Sequence, residues 1–267
     1  METLATLERT AIEACTAGGS TLRDAYRAGD TEADRLAHDV KSSADTGSEA
    51  QLLEVIRSQY PDHRIDAEES GVHEGDGPYE WIVDPLDGTN NFEAGLPSFA
   101  TAVTVLERAG AANPSDSIPV LGVVYVPMLD DLYVGRRDGG VRYNGQPVRT
   151  DDGPGGEPAT ATVVSVIGHD VKRQPESAAV SESINRAIEE RCKRRLESWS
   201  PTVHWGLLAR GTLDGVVCYR PDREEQRLGE LFAAESGLQR ARGEDWFVGA
   251  RSASLLESLR ELTVSRV

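Results

Sequence analysis

The sequence predicts an α/β chain of α+β layered type, with an α+β lobe over residues 1–155 and an α/β lobe over residues 156–267. Three observations predict it. Amphipathic helical patterns open the chain, strand and turn signals fill the stretch from about residue 80 to 150, and strands alternate with helices beyond a glycine- and proline-rich segment.

The first helix carries Leu4, Leu7, Ala11, Ala14 and Cys15 at helical spacing and is expected to end near Gly18-Gly19. A second lies in SEAQLLEVIRSQYP. Ser48 and Gln51 are spaced as a capping box, Leu52, Leu53, Ile56 and Tyr60 form the apolar stripe, and Pro61 stops it. Strands follow at Trp81–Val83, Phe99–Glu107, Val120–Pro127 and Asp131–Gly135. The last two are joined by a turn short enough for an antiparallel meander, and Asn144-Gly145 marks one more hairpin. The segment DDGPGGEPATA (Asp151–Ala161) reads as the linker between lobes. The second lobe then reads as a strand at Thr162–Gly168, helices at Glu182–Glu197 and Thr202–Arg210, and a strand at Gly215–Tyr219. A helix at Glu224–Gly237, a strand at Trp246–Ala250 and a helix at Ser252–Leu262 complete it.

With 28 basic against 45 acidic residues the formal net charge is −17, which disfavours nucleic acid and anionic membrane surfaces as partners. Only Lys41, Lys172 and Lys193 are lysines. An acidic surface with arginine in place of lysine suits solubility in high salt, so a halophilic cytoplasm is expected; an acidic partner-binding face is the competing explanation. Cys15, Cys192 and Cys218 are odd in number, far apart and without CxxC spacing, which points to reduced thiols. Neither a signal peptide nor a membrane span is legible.

The stretch WIVDPLDGTNNF (Trp81–Phe92) carries the chemistry. Asp84 and Asp87 flank Pro85 at the end of an apolar run, where α/β proteins place their sites. An ordinary turn explains a lone DxxDG. Here Glu68-Glu69 lies 16 positions before Asp84, and Asp45 precedes the second helix. Carboxylates gathered at one strand end repel one another or take up protons, and a hard cation such as Mg²⁺ resolves that conflict with oxygen ligands.

WIVDPLDGTNNF, preceded by AEES, resembles the signature of the inositol monophosphatase-like family, within the magnesium-dependent, lithium-sensitive phosphatases that include fructose-1,6-bisphosphatases. The similarity continues through GLPSFATAVTVLE and the hairpin to Arg149, and more faintly through LLARGTLDGVV and AAESG. It implies an α-β-α-β-α sandwich of the sugar phosphatase type and a homodimer. It also implies two or three Mg²⁺ ions, held by Glu68, Asp84, the Leu86 carbonyl, Asp87 and a second-lobe residue. Glu69 is the less directly engaged second glutamate. Gly88 and Thr89, with Asp87, would bind the substrate phosphate, and Asp45 with Thr89 would activate a metal-held water for direct attack. The implied substrate is a small phosphorylated metabolite of the inositol-1-phosphate or fructose-1,6-bisphosphate type.

The resemblance has gaps in the second lobe. Where the family carries Trp-Asp before its second motif, this chain has Glu224-Glu225, which makes Glu225 the candidate second-lobe ligand with an extra methylene. Cys218 stands where relatives carry a substrate-contacting glutamate and reads as a buried filler. Lys41 sits in a short loop, and Trp199–Trp205 replaces a small-residue stretch. These departures motivate a rival: a catalytically weakened homologue serving as a metal- or phosphate-ligand-binding or regulatory subunit.

Overall fold

The computed structural model describes residues 3–31, 33–36, 39–108, 117–150 and 156–267, with main chain only at 33–36 and 39–42. The Lys41 side chain, and the linker as far as residue 155, lie outside the described residues. The chain divides into two compact units, Met1–Gln146 and Pro147–Val267.

The first unit opens with α1 (Leu4–Ala28), capped by reciprocal hydrogen bonds between Thr3 and Thr6 and closed by Gly29 at φ 75°. The expected stop at Gly18-Gly19 does not occur. These glycines instead allow close approach. A Cβ at Gly18 would meet Ser48 Oγ at 2.7 Å, and one at Gly19 would meet the Tyr125 ring at 2.5 Å. A short hairpin, β1 (Ala33–Leu36) and β2 (Asp39–Ser42), then runs straight into α2 (Ser43–Gln59). This helix starts five residues before Ser48, so Ser48 is not its cap. Asp45, Ser48 and Glu49 share the buried face with Leu52, Leu53 and Ile56.

The strands β3 (Arg64–Ala67), β4 (Gly71–His73), β5 (Tyr79–Asp87), β6 (Ala100–Glu107), β7 (Ile118–Val126), β8 (Asp131–Arg136) and β9 (Gly140–Tyr143) form one sheet. Their order is β9-β8-β7-β6-β5-β3-β4. Every pairing is antiparallel except β3 with β5, which is parallel. Asn144 and Gly145, both with positive φ, make the expected turn into β10 (Gln146–Val148). Leu7, Ala11, Ala14 and Cys15 of α1 and Leu52 and Ile56 of α2 pack on Trp81, Val83, Val103 and Val123 of the sheet. A smaller cluster of Leu22, Ala44, Leu86, Phe92 and Phe99 lies under the aspartate motif. The short helix α3 (Thr89–Glu93) follows that motif.

The second unit has a five-stranded sheet of β11 (Thr162–Ile167), β12 (Arg194–Glu197), β13 (Gly215–Tyr219), β14 (Gln239–Arg242) and β15 (Trp246–Ala250), ordered β12-β11-β13-β15-β14. The β11 strand is parallel to both β12 and β13, and β15 is antiparallel to β13 and β14. Its helices are α4 (Pro175–Arg191), α5 (Pro201–Ala209), α6 (Arg223–Glu235) and α7 (Ala253–Val264). The helix expected to continue to Glu197 ends at Arg191, and its last four predicted residues form β12. Extended backbone at Cys192 ends the helix, and Arg195 is then held against Glu189 at 2.7 Å. Arg194 and Arg195 thus stand on the edge strand of this sheet. No described helix is long and apolar enough to cross a membrane.

Candidate active site

Strand β5 delivers the aspartates. Its apolar residues Trp81 and Val83 are buried between β3 and β6. Register then slips: Asp84 faces Ala102 and Asp87 faces Ala100, so three steps on β5 oppose two on β6. The extra residue is a β-bulge, which bends the strand and re-aims its side chains. Asp84 Oδ1 accepts the Leu86 main-chain N–H at 3.1 Å, and the Thr89 hydroxyl donates to the Leu86 carbonyl at 3.1 Å. That carbonyl, proposed from the family as a ligand, keeps a second lone pair. Gly88, at φ 92°, turns the chain into α3 and caps it. Since α3 spans only five residues, its first N–H groups matter more here than any macrodipole.

Two other segments of the same unit converge on this bulge. Glu68 follows β3, its main-chain N–H bonded to the Val83 carbonyl at 3.2 Å. The residue as a whole is exposed. Crowding of its carboxyl end, then the negative charges of Asp45, Glu69 and Asp87, push that carboxyl up to about 7, against a hydrogen bond with Asp84 that lowers it. Asp45 stands in the first turn of α2 and is only 3% exposed. The structure thus brings together Asp45, Glu68, Asp84 and Asp87 with Glu69 alongside. This donor set is all oxygen and all anionic. It fits a hard divalent cation.

Sequence reasoning missed two residues here. Ser48 Oγ donates to the Pro85 carbonyl at 2.8 Å, and the Glu49 carboxylate accepts the main-chain N–H groups of Glu69 at 2.7 Å and Ser70 at 2.9 Å. The available signal was a glutamate on the same helical face as Leu52, Leu53 and Ile56, since a carboxylate buried there requires donors.

In the second unit, Glu225 lies half-buried in the first turn of α6, whereas Glu224 is exposed. Cys218 is fully buried in β13. Burial first, then the charges of Glu230 and Glu225, hold its thiol well above the usual range. It is a filler of the core, as expected, and a poor nucleophile. The cysteines Cys15, Cys192 and Cys218 are all free and buried.

The profile of the inositol monophosphatase family matches residues 3–225. The chain belongs to the inositol monophosphatase family. Among its curated relatives, "Nus factor SuhB" of Haemophilus influenzae is 37% identical over 144 residues, covering 53% of this chain and 51% of that protein. "Fructose-1,6-bisphosphatase/inositol-1-monophosphatase" of Aquifex aeolicus is 33% identical over 156 residues, covering 57% of this chain and 55% of that one. The chain thus spans about half the length of these two relatives. The solved inositol monophosphatase of Anabaena (Nostoc) sp. PCC 7120 superposes with a TM-score of 0.80 at 24% identity, covering 99% of this chain and 97% of that one, which establishes the fold.

One expectation is corrected. The exclusion of nucleic acid as a partner does not stand, because the Haemophilus relative, like others of Pasteurella multocida and Escherichia coli, carries the name "Nus factor SuhB". A net charge of −17 averages the whole surface. It disfavours wrapping by a polyanion but leaves open assembly through local patches or through other proteins.

Proposed function

We propose that this chain is a Mg²⁺-dependent phosphomonoesterase acting on a small sugar or polyol phosphate of the inositol-1-phosphate or fructose-1,6-bisphosphate type. The supporting observation is the convergence of Asp45, Glu68, Asp84 and Asp87, where burial first and then the charges of Asp45, Glu69 and Asp87 push the Glu68 carboxyl up to about 7, against a hydrogen bond with Asp84. In this reading Glu68, Asp84, Asp87 and the Leu86 carbonyl hold the cations, and the family resemblance adds Glu225. Divalent cations at such a site supply Lewis-acid charge, which offsets the phosphate's negative charge and makes a coordinated water more acidic.

The chain's own residues do the rest. Gly88 and Thr89 present main-chain N–H groups to the phosphate oxygens. The Thr89 hydroxyl, anchored on the Leu86 carbonyl, orients the attacking water, and Asp45 accepts its proton. A new P–O bond forms to that water as the ester P–O bond breaks, and the leaving alkoxide is protonated from solvent. Buried free thiols fit a reducing cytoplasm, and the acidic, lysine-poor composition fits a salty one.

The name of the Haemophilus relative favours a second reading, that of a weakened homologue working as a regulatory subunit. Phosphate release from a panel of sugar phosphates, measured across a Mg²⁺ titration in high salt, separates the two. The esterase reading expects Mg²⁺-dependent release that Asp84→Asn and Asp87→Asn abolish. Mg²⁺ binding without turnover on any ester favours the subunit. Glu225→Asp then shows whether glutamate is the adapted ligand, in which case the rate falls, or a degraded one, in which case it rises.

A further inference from the structure

Helix α2 touches the candidate site through three residues on one face. Asp45 adds its charge to the carboxylate cluster, Ser48 grips the carbonyl of Pro85 between Asp84 and Leu86, and Glu49 reaches the turn after Glu68. Spacings of three and four residues place these groups together over little more than one helical turn. The Glu49 contact carries the most information. Both its oxygens are used: Oε2 accepts from Glu69 N–H at 2.7 Å and Oε1 from Ser70 N–H at 2.9 Å. The residue is 4% exposed.

A further anion buried beside an already crowded carboxylate cluster is costly unless its donors are indispensable. Those donors belong to the turn that begins at Glu68. On one side the Glu68 N–H is fixed to Val83 of β5, and on the other the next two N–H groups are fixed to Glu49 of α2. The main chain of residues 68–70 is therefore held between the strand that carries the aspartates and the helix that carries Asp45.

We infer that Glu49 is a positioning residue: its carboxylate clasps the main chain of Glu69 and Ser70 and so sets the place of Glu68 relative to Asp84 and Asp87. The inference rests on the reading of Glu68 as a cation ligand. Glutamine cannot replace Glu49, because its NH₂ group would face one of the two N–H donors.

The test is calorimetric titration of Mg²⁺ alone into the full chain, comparing wild type, Glu49→Gln, Glu49→Asp and Ile56→Val. Ile56 is fully buried on the same helix and serves as a control for general loosening. Loss of a partner that orients a ligand typically weakens metal affinity about 10–100-fold, and Glu49→Gln is expected to do so. Glu49→Asp, which keeps the charge but withdraws the oxygens, is expected to weaken binding as well. Ile56→Val is expected to lower the thermal midpoint and leave Mg²⁺ affinity unchanged. Wild-type affinity in Glu49→Gln or in Glu49→Asp, or equal weakening in Ile56→Val, would overturn the inference. The titration reads binding alone. A wild-type chain that binds Mg²⁺ yet releases no phosphate defeats the esterase reading without touching this one, whereas a wild-type chain that binds no Mg²⁺ defeats both.

Discussion

Gly229 on α6 offers a test of how tightly the second unit is packed. A Cβ built there would lie 2.0 Å from Trp205 Cε2, 2.2 Å from Nε1 and 2.5 Å from Cζ2. Carbon atoms in contact sit roughly 3.5–4.0 Å apart, so the indole or the helix must move by roughly 1.5 Å. Neither can do so freely. Trp205 is 1% exposed and packs edge-on against Phe247 at 5.8 Å. Overpacking of this kind costs about 1–3 kcal/mol, and a rigid buried ring puts this case at the top of that range. Replacing glycine by alanine inside a helix returns about 1 kcal/mol of propensity. The net expectation for Gly229→Ala is a loss of about 2 kcal/mol. At about 2–4 °C per kcal/mol, that lowers the thermal midpoint by about 4–8 °C. Differential scanning calorimetry at fixed salt reads it. Adding Trp205→Phe, which removes part of the indole that the new methyl strikes, should recover some of the loss as a positive coupling in a double-mutant cycle. A Gly229→Ala chain as stable as wild type, or more stable, would refute the packing argument, since helix propensity alone would then have decided the sign.

Other outcomes follow from single contacts. Ser48→Ala removes the donor to the buried Pro85 carbonyl and should cost about 1–3 kcal/mol by denaturant unfolding; a cost near zero would mean the bond contributes nothing net. Burial raises the thiols of Cys15, Cys192 and Cys218, so all three should stay protonated and silent to a thiol reagent at pH 8 in the native chain and react only in denaturant. Raising KCl from 0.1 to 1 M shortens the screening length from about 10 to 3 Å, so the net charge of −17 should repel itself less and the midpoint should rise; a falling midpoint would refute the high-salt reading.

Much of the first unit was legible because its strands are long, apolar and punctuated by strong turn signals. The runs at Phe99–Glu107 and Asp131–Gly135 and the Asn144-Gly145 turn became β6, β8 and the turn after β9 with small shifts at the ends. The failures share a physical cause, which is that local signals were overruled by partners distant in sequence. Gly18-Gly19 reads as a helix stop, but glycine is also the residue that lets α2 and Tyr125 approach α1 closely. Ser48 reads as a cap, yet the hairpin before it starts the helix early and frees its hydroxyl for Pro85. Arg194-Arg195 reads as a continued helix, but pairing with Thr162 and Val163 makes it a strand. The acidic motif was legible because both aspartates lie within four residues. Glu49 was not, because its partners are main-chain N–H groups 20 and 21 residues away, which leave no mark on side-chain pattern.

The central claim is that carboxylates from separate segments of the first unit converge to hold hard cations. Calorimetric titration of Mg²⁺ into chelator-treated chain, with wild type beside Asp84→Asn and Asp87→Asn, tests it most directly. Saturable binding to wild type, with affinity at least about tenfold weaker in each variant, is the expected result. No binding to wild type, or wild-type affinity in either variant, would contradict it.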